Sequence, residues 1–129
     1  MDVLVIPVAD ELYAVPLEAV REVVTGPRTT TLPTGPRQVL GLTNVRGEIV
    51  PLFDLIALLG NGAISQADFA AIVDVGAGPA GLAATGTPTC EPLGDRVRNS
   101  DLRAGRGVHR QGDRLATLLD LEILLSEPR

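Results

Sequence analysis

Two aspartates in this chain sit in matching surroundings. Asp54 precedes Leu55, Leu58 and Leu59, and Asp120 precedes Leu121, Leu124 and Leu125. Two carboxylates can share acid–base work when they face one site. A carboxylate just ahead of apolar residues at helical spacing has another use. It accepts the backbone N–H groups that a helix start leaves unpaired, and this role fits both positions. His109 is the only histidine, so the chain cannot build a multi-histidine metal site or a two-histidine relay. It reads as a surface loop residue. Cys90 is the only cysteine, which rules out an intrachain disulfide. It lacks the CxxC or basic surroundings that activate a thiol. Gly76-Ala77-Gly78-Pro79 is followed by neither the lysine nor the helix of a phosphate loop. No catalytic, cofactor or metal site follows from these residues. Arg46 remains, within Asn44-Val45-Arg46-Gly47. A guanidinium carried on a tight turn can grip a carboxylate or backbone carbonyls in a bidentate fork. Its target is either a partner or another part of the same fold.

The elements that must position these residues repeat along the chain. Residues 41–60 read as a loop, a turn at Arg46 and Gly47, a buried strand over residues 49–53, and a helix capped by Asp54 and stopped by Gly60. Residues 107–126 follow the same plan. Gly41 and Gly107, Leu52 and Leu118, Asp54 and Asp120 match at one offset, while the turn glycines Gly47 and Gly112 fall one place apart. Residues 3–8 and 12–15 form a hairpin, and residues 69–74 and 80–84 form another at about the same spacing. Between them, Pro16 to Ala19 suits one helical turn that becomes extended at Glu22-Val23-Val24. Residues 61–66 read as a linker. The plan predicts an internal duplication, with halves at about 1–62 and 66–126 that need not fold separately and can exchange strands. Residues 76–107 carry repeated Gly and Pro and few apolar side chains, so they are expected to be irregular and the least ordered stretch.

Composition bounds the function. A chain of 129 residues with 45% hydrophobic content suits one globular domain or two small subdomains sharing a core. Net charge −5 and only three aromatic residues argue against nucleic acid binding. The arginines from Arg96 to Arg114 are interleaved with Asp101 and Asp113 and read as a solvated loop. No apolar run reaches the ~18 residues of a membrane span, and the N-terminus lacks signal-peptide features. The expectation is a cytoplasmic protein without membrane insertion.

With these segments in order, the chain resembles CheW-like domains, the coupling proteins of bacterial chemotaxis. The resemblance rests on VLGLTNVRGEIVPLFDLIALLG, supported by LYAVPLEAVREVV, FAAIVDV and GDRLATLLDLEILL. It implies an all-β fold of two small SH3-like five-stranded β-barrels packed together, with short connecting helices. It also implies a non-catalytic adaptor without cofactors. Its implied partners are the regulatory domain of a CheA-type histidine kinase and the cytoplasmic tip of a methyl-accepting chemoreceptor. Partner-binding positions map onto Val20, Glu22, Gly41 and Arg46, the last within the turn formed with Asn44, Val45 and Gly47. One departure stands out. Family members continue the central hairpin with a Gly-Leu-x-Val-Asp-x-Val strand, whereas here Gly81-Leu82 runs into Ala83-Ala84-Thr85-Gly86. Three other readings remain open: a structural β-barrel protein that homo-oligomerises, a diverged module serving a pathway other than chemotaxis, and a small-molecule binder or enzyme with a pocket between the barrels.

Overall fold

The structure, a computed structural model, describes residues 1–60 and 62–126. Strands β1 (Asp2–Val8) and β2 (Glu11–Pro16) form the first hairpin. A single 3-10 turn over Leu17–Ala19 follows, and the chain extends again as β3 (Val20–Thr25). Gly26 has φ +59, and with Pro27 it bends the chain into β4 (Thr29–Thr30). Strands β5 (Val39–Val45) and β6 (Glu48–Phe53) make the next hairpin, and α1 (Leu55–Leu58) follows directly. The order then repeats as β7 (Phe69–Asp74), β8 (Pro79–Ala84), β9 (Thr89–Pro92), β10 (Arg96–Arg98), β11 (Gly105–Gln111), β12 (Arg114–Leu119) and α2 (Leu121–Leu125). Of the linker read at 61–66, Asn61 lies outside the described residues.

The strands assemble into two six-stranded sheets. The first runs β4-β5-β6-β8-β7-β3 and the second β10-β11-β12-β2-β1-β9. Each sheet therefore takes its central hairpin from the other half of the sequence. The exchange is made through short parallel pairings: Leu52 with Gly81 in the first sheet, Thr117 with Tyr13 in the second. Side chains alternate across a strand, and here both faces are covered. Val3, Val5, Leu12 and Ala14 pack with Ala116 and Leu118 on one face of the second sheet. Ala70, Ile72 and Ala83 pack with Val50 and Leu52 on one face of the first. The alternate residues of the same hairpins, among them Leu4, Ile6, Tyr13, Ala71, Val73 and Leu82, join the helices through Leu55, Ile56, Leu121 and Leu124. This third cluster is common to both sheets. It explains why the central hairpins read as continuous apolar runs rather than as clean alternation.

The all-β class with two β subdomains and short helices is as expected. Each sheet carries six strands where five were expected, the short β4 and β10 being counted at the edges. Both aspartates cap their helices. Asp54 Oδ1 accepts from the backbone N–H groups of Ile56 at 2.9 Å and Ala57 at 3.2 Å, and Oδ2 accepts from Ile64 at 2.8 Å. Asp120 Oδ1 accepts from Ile123 at 3.1 Å. The shifted turn glycines also have an account. Both hairpins close with two-residue turns between Val45 and Glu48 and between Gln111 and Arg114, in the same register. In the first turn Arg46 and Gly47 both have positive φ, the type I′ pattern. In the second only Gly112 does, at the first central position, as type II′ requires.

Two expectations fail. Residues 76–107 are not irregular throughout: they hold β8, β9 and β10. Alanines suffice in β8, where Ala80, Ala83 and Ala84 are buried between neighbours, and β9 borrows its order from the edge of β1, pairing Val3 with Glu91 and Leu4 with Cys90. His109 is not a surface loop residue. It lies in β11 at 9% exposure, with Nδ1 2.8 Å from the carbonyl oxygen of Gly94.

The unequal caps should have unequal costs. Asp54 is 1% exposed and serves three N–H groups, so Asp54→Ala is expected to cost about 3 kcal/mol against about 1 kcal/mol for Asp120→Ala, read by urea denaturation. Equal costs would contradict the assignment.

Tyr13, the only tyrosine, is held protonated up to about 12 by burial, with smaller effects of Glu11 and Asp54. An unfolded tyrosine ionises near ~10. Between these values the unfolded chain has released a proton that the folded chain retains, so stability falls as pH rises. Phenolate absorbance should titrate near 12 in native protein and lower in urea.

A rigid charged turn as candidate interaction surface

Arg46 owes its position to the turn rather than to packing. Its φ is +54, a region that costs a residue with a Cβ roughly 1 kcal/mol or more. Gly47, at φ +85, follows without that cost. Asn44 fixes the turn from inside, its Oδ1 accepting the Gly47 N–H at 2.9 Å. The Arg46 side chain is 81% exposed, yet its Nε donates to Glu22 Oε2 at 3.0 Å. The two terminal guanidinium nitrogens make no hydrogen bond or ion pair among the described residues.

A second arginine makes ion pairs beside it. Arg21 Nη1 lies 3.2 Å from Glu48 Oε1, and its Nη2 lies 3.1 Å from Asp74 Oδ2. The side chains of β3 thus reach both the β5–β6 turn and the end of β7. Pairs this exposed contribute about 0–1 kcal/mol each. The Glu22 pair holds Arg46 by its Nε, and the Arg21 pairs separately tie β3 to β6 and β7.

The structure brings together Glu22, Asn44, Val45, Arg46 and Gly47. Glu22 is half-buried, and the pair it makes with Arg46 joins parts of one sheet. Val45 is half-buried and packs toward the interior of the first sheet. Val20 stands apart, paired with Val73 at the start of β3 and packed on the shared core, while Val23 of the same strand is exposed. Gly41 also stands apart. Five residues of strand, about 16 Å, separate it from Arg46. It is buried, and a Cβ there would collide with the carbonyl oxygen of Thr30. Its role is to let β4 lie close on β5. Arg21, Glu48 and Asp74 were missed, since nothing local in the sequence marks three residues from three strands as neighbours. A shift of register between Val20 and Glu22 interrupts the alternation of β3 at Arg21, so Arg21 and Glu22 both reach the β5–β6 turn.

Fold and surface together define a β domain that displays a charged two-residue turn on a tightly packed scaffold. The chain belongs to the CheW-like domain family, whose model matches residues 2–129. Among solved structures it is similar to the scaffolding protein TtCheW from Thermoanaerobacter tengcongensis. The TM-score is 0.80 at 24% identity, covering 98% of this chain and 92% of that one. This likeness concerns the fold. No curated protein matches the chain. Family membership places it among chemotaxis-type coupling adaptors, a non-catalytic class whose partners are proteins. No helix among the described residues is long and apolar enough to cross a membrane.

The placement of Gly41 separates packing from binding. Gly41→Ala should force β4 off β5 and cost about 2 kcal/mol or more in a denaturant titration. An unchanged midpoint would return Gly41 to the list of contact residues.

Proposed function

We propose that this protein is a cytoplasmic, non-catalytic adaptor that couples the tip of a chemoreceptor to the regulatory domain of a CheA-type histidine kinase. The observation that carries the reading is the state of Arg46: fixed in backbone, anchored through Nε, and leaving its outer fork open to solvent. A guanidinium already oriented loses little further freedom on binding a carboxylate or a pair of carbonyls. Glu22 acts by orienting Arg46, and Asn44 and Gly47 act by shaping the turn. Val20 contributes through the set of β3, with Val23 beside it exposed for contact. The family match supports the partner class, and the matching strand order of the two sheets supports reading the chain as one domain built from a duplicated unit. The presence of β8, despite its alanine sequence, supports an intact scaffold for receptor docking.

Arg46→Ala tests the reading. It should lower folding stability by well under ~1 kcal/mol, because the side chain is exposed. It should weaken binding to the kinase regulatory domain or the receptor tip by about 2 kcal/mol, roughly thirtyfold. Arg46→Lys should restore little, since an ammonium cannot reproduce the fork. A melt and a binding titration on the same variants decide it. Lost stability with unaltered affinity for both partners would remove Arg46 from the interface.

A further inference from the structure

The second sheet ends in β9 on one side and β10 on the other, and residues 93–95 join the two. No residue from 89 to 98 is buried, although the stretch holds both strands. β9 pairs with β1 over four residues. β10 pairs with β11 only at Arg96 and Arg98, with a shift of register between them. Leu93 packs on the sheet's interior, whereas Cys90 and Val97 are exposed. Between β9 and β11 runs a seam that no ladder crosses.

Side chains close this second seam. Gln111, at the end of β11, uses its amide on three partners. Its Oε1 accepts the Gly94 N–H at 2.5 Å, and its Nε2 donates to Glu91 Oε1 at 2.8 Å and to the Pro92 carbonyl at 3.2 Å. Both amide hydrogens are thereby used. His109 Nδ1 lies 2.8 Å from the Gly94 carbonyl oxygen, and Arg110 donates its backbone N–H to the Asp95 carbonyl at 2.9 Å. Gly94 fits because it has no side chain: a Cβ there would collide with the carbonyl oxygen of Arg110. The first sheet has the matching seam between β3 and β5, spanned by Gly26-Pro27-Arg28. Pro27 stands where Gly94 donates, and proline has no N–H. Val45 and Val24 stand where Gln111 and Glu91 meet, and they pack on the interior.

We propose that residues 89–98 form a flap that opens as one unit while the rest of the domain stays folded, and that Gln111 is its latch. A segment with little buried apolar surface detaches at less cost than the whole domain unfolds. Opening this one frees Leu93 and two short ladders, and it leaves β1, β2, β12 and β11 paired with one another. What it must break is the Gln111 amide, which ties β9 and residues 93–95 to β11 at three points. In the open state the edge of β1 and the interior lined by Val3, Val5 and Leu118 meet water. The first sheet, with valines at the matching places, has no such latch. The proposal does not rest on the coupling role, and its test uses neither kinase nor receptor.

Native-state hydrogen exchange on the whole protein tests it. The reporters are the amides of Leu93, Gly94 and Arg110, which donate to the Met1 carbonyl, Gln111 Oε1 and the Asp95 carbonyl. They should share one opening equilibrium, at least about tenfold more frequent than that of the amides in β2 and β12. Low urea should barely change it, because little surface is exposed. Gln111→Ala should speed exchange at all three reporters at least about tenfold, through the loss of its hydrogen bonds. Asp120→Ala, which weakens the α2 cap outside the flap, should leave these rates unchanged while it lowers the denaturation midpoint. Gly94→Ala should hold the flap open. Its amide shifts should change over residues 89–98 and the facing edges of β1 and β11, with a native spectrum elsewhere. Reporter rates equal to those of β2 and β12, or indifferent to Gln111→Ala while the midpoint falls, would overturn the proposal. So would loss of the native spectrum throughout in Gly94→Ala.

Discussion

The core shared by the two sheets is what the rest of this molecule depends on. The hairpins β1–β2 and β7–β8 each lie at the centre of a sheet whose other strands come from the opposite half of the chain. One face of each hairpin fills its own sheet's interior, and the other fills the space between sheets. Cutting the chain between its halves would strip both faces from both hairpins at once. A chain this short has little apolar surface to spare. Exchange solves the problem by making a single core serve two subdomains, and it makes their relative orientation part of the packing rather than of a linker.

This arrangement also accounts for what the sequence reveals. Hairpins, helix caps and the repeat of Leu-x-Asp-Leu-x-x-Leu-Leu are local patterns, and each appears where local reasoning places it. What failed was non-local. β9 has the composition of a loop, with Thr89, Cys90, Glu91 and Pro92, and becomes a strand because the edge of β1 offers it a ladder. β8 is rich in small residues because it is enclosed on every side, and enclosed strands need fit more than bulk. His109 looks solvent-facing in a run of arginines, yet the pleat turns it inward while Arg110 faces out. The Arg46 turn was legible from Arg-Gly between strand patterns. Its partners were not, since Arg21, Glu48 and Asp74 meet only after the sheet has formed.

The charged network around Arg46 is weak as a source of stability and informative as geometry. Exposed ion pairs add little to folding. A left-handed arginine adds local cost. A sequence with asparagine or glycine at that position would form the same turn with less strain. The long cation held on the tightest turn of the first sheet is therefore better explained by what it presents than by what it stabilises. Its anchoring carboxylate fits this view: Glu22 takes Nε and leaves the terminal nitrogens in water.

The same comparison of like with like distinguishes the two sheets from each other. In a folded protein each buried backbone N–H needs a partner, and the second seam meets that need with Gly94 and Gln111. The first seam removes the donor by using Pro27 and removes the acceptor by using Val45. No buried side-chain nitrogen or oxygen among the described residues lacks a partner. The first sheet does leave apolar surface at Ile49 facing solvent and a strand edge unpaired, features that soluble β proteins usually cover. Where Gln111 donates to Glu91 in the second sheet, the matching positions of the first hold Val45 and Val24, which pack on that sheet's interior, so a polar contact in one copy of the repeated unit is an apolar one in the other.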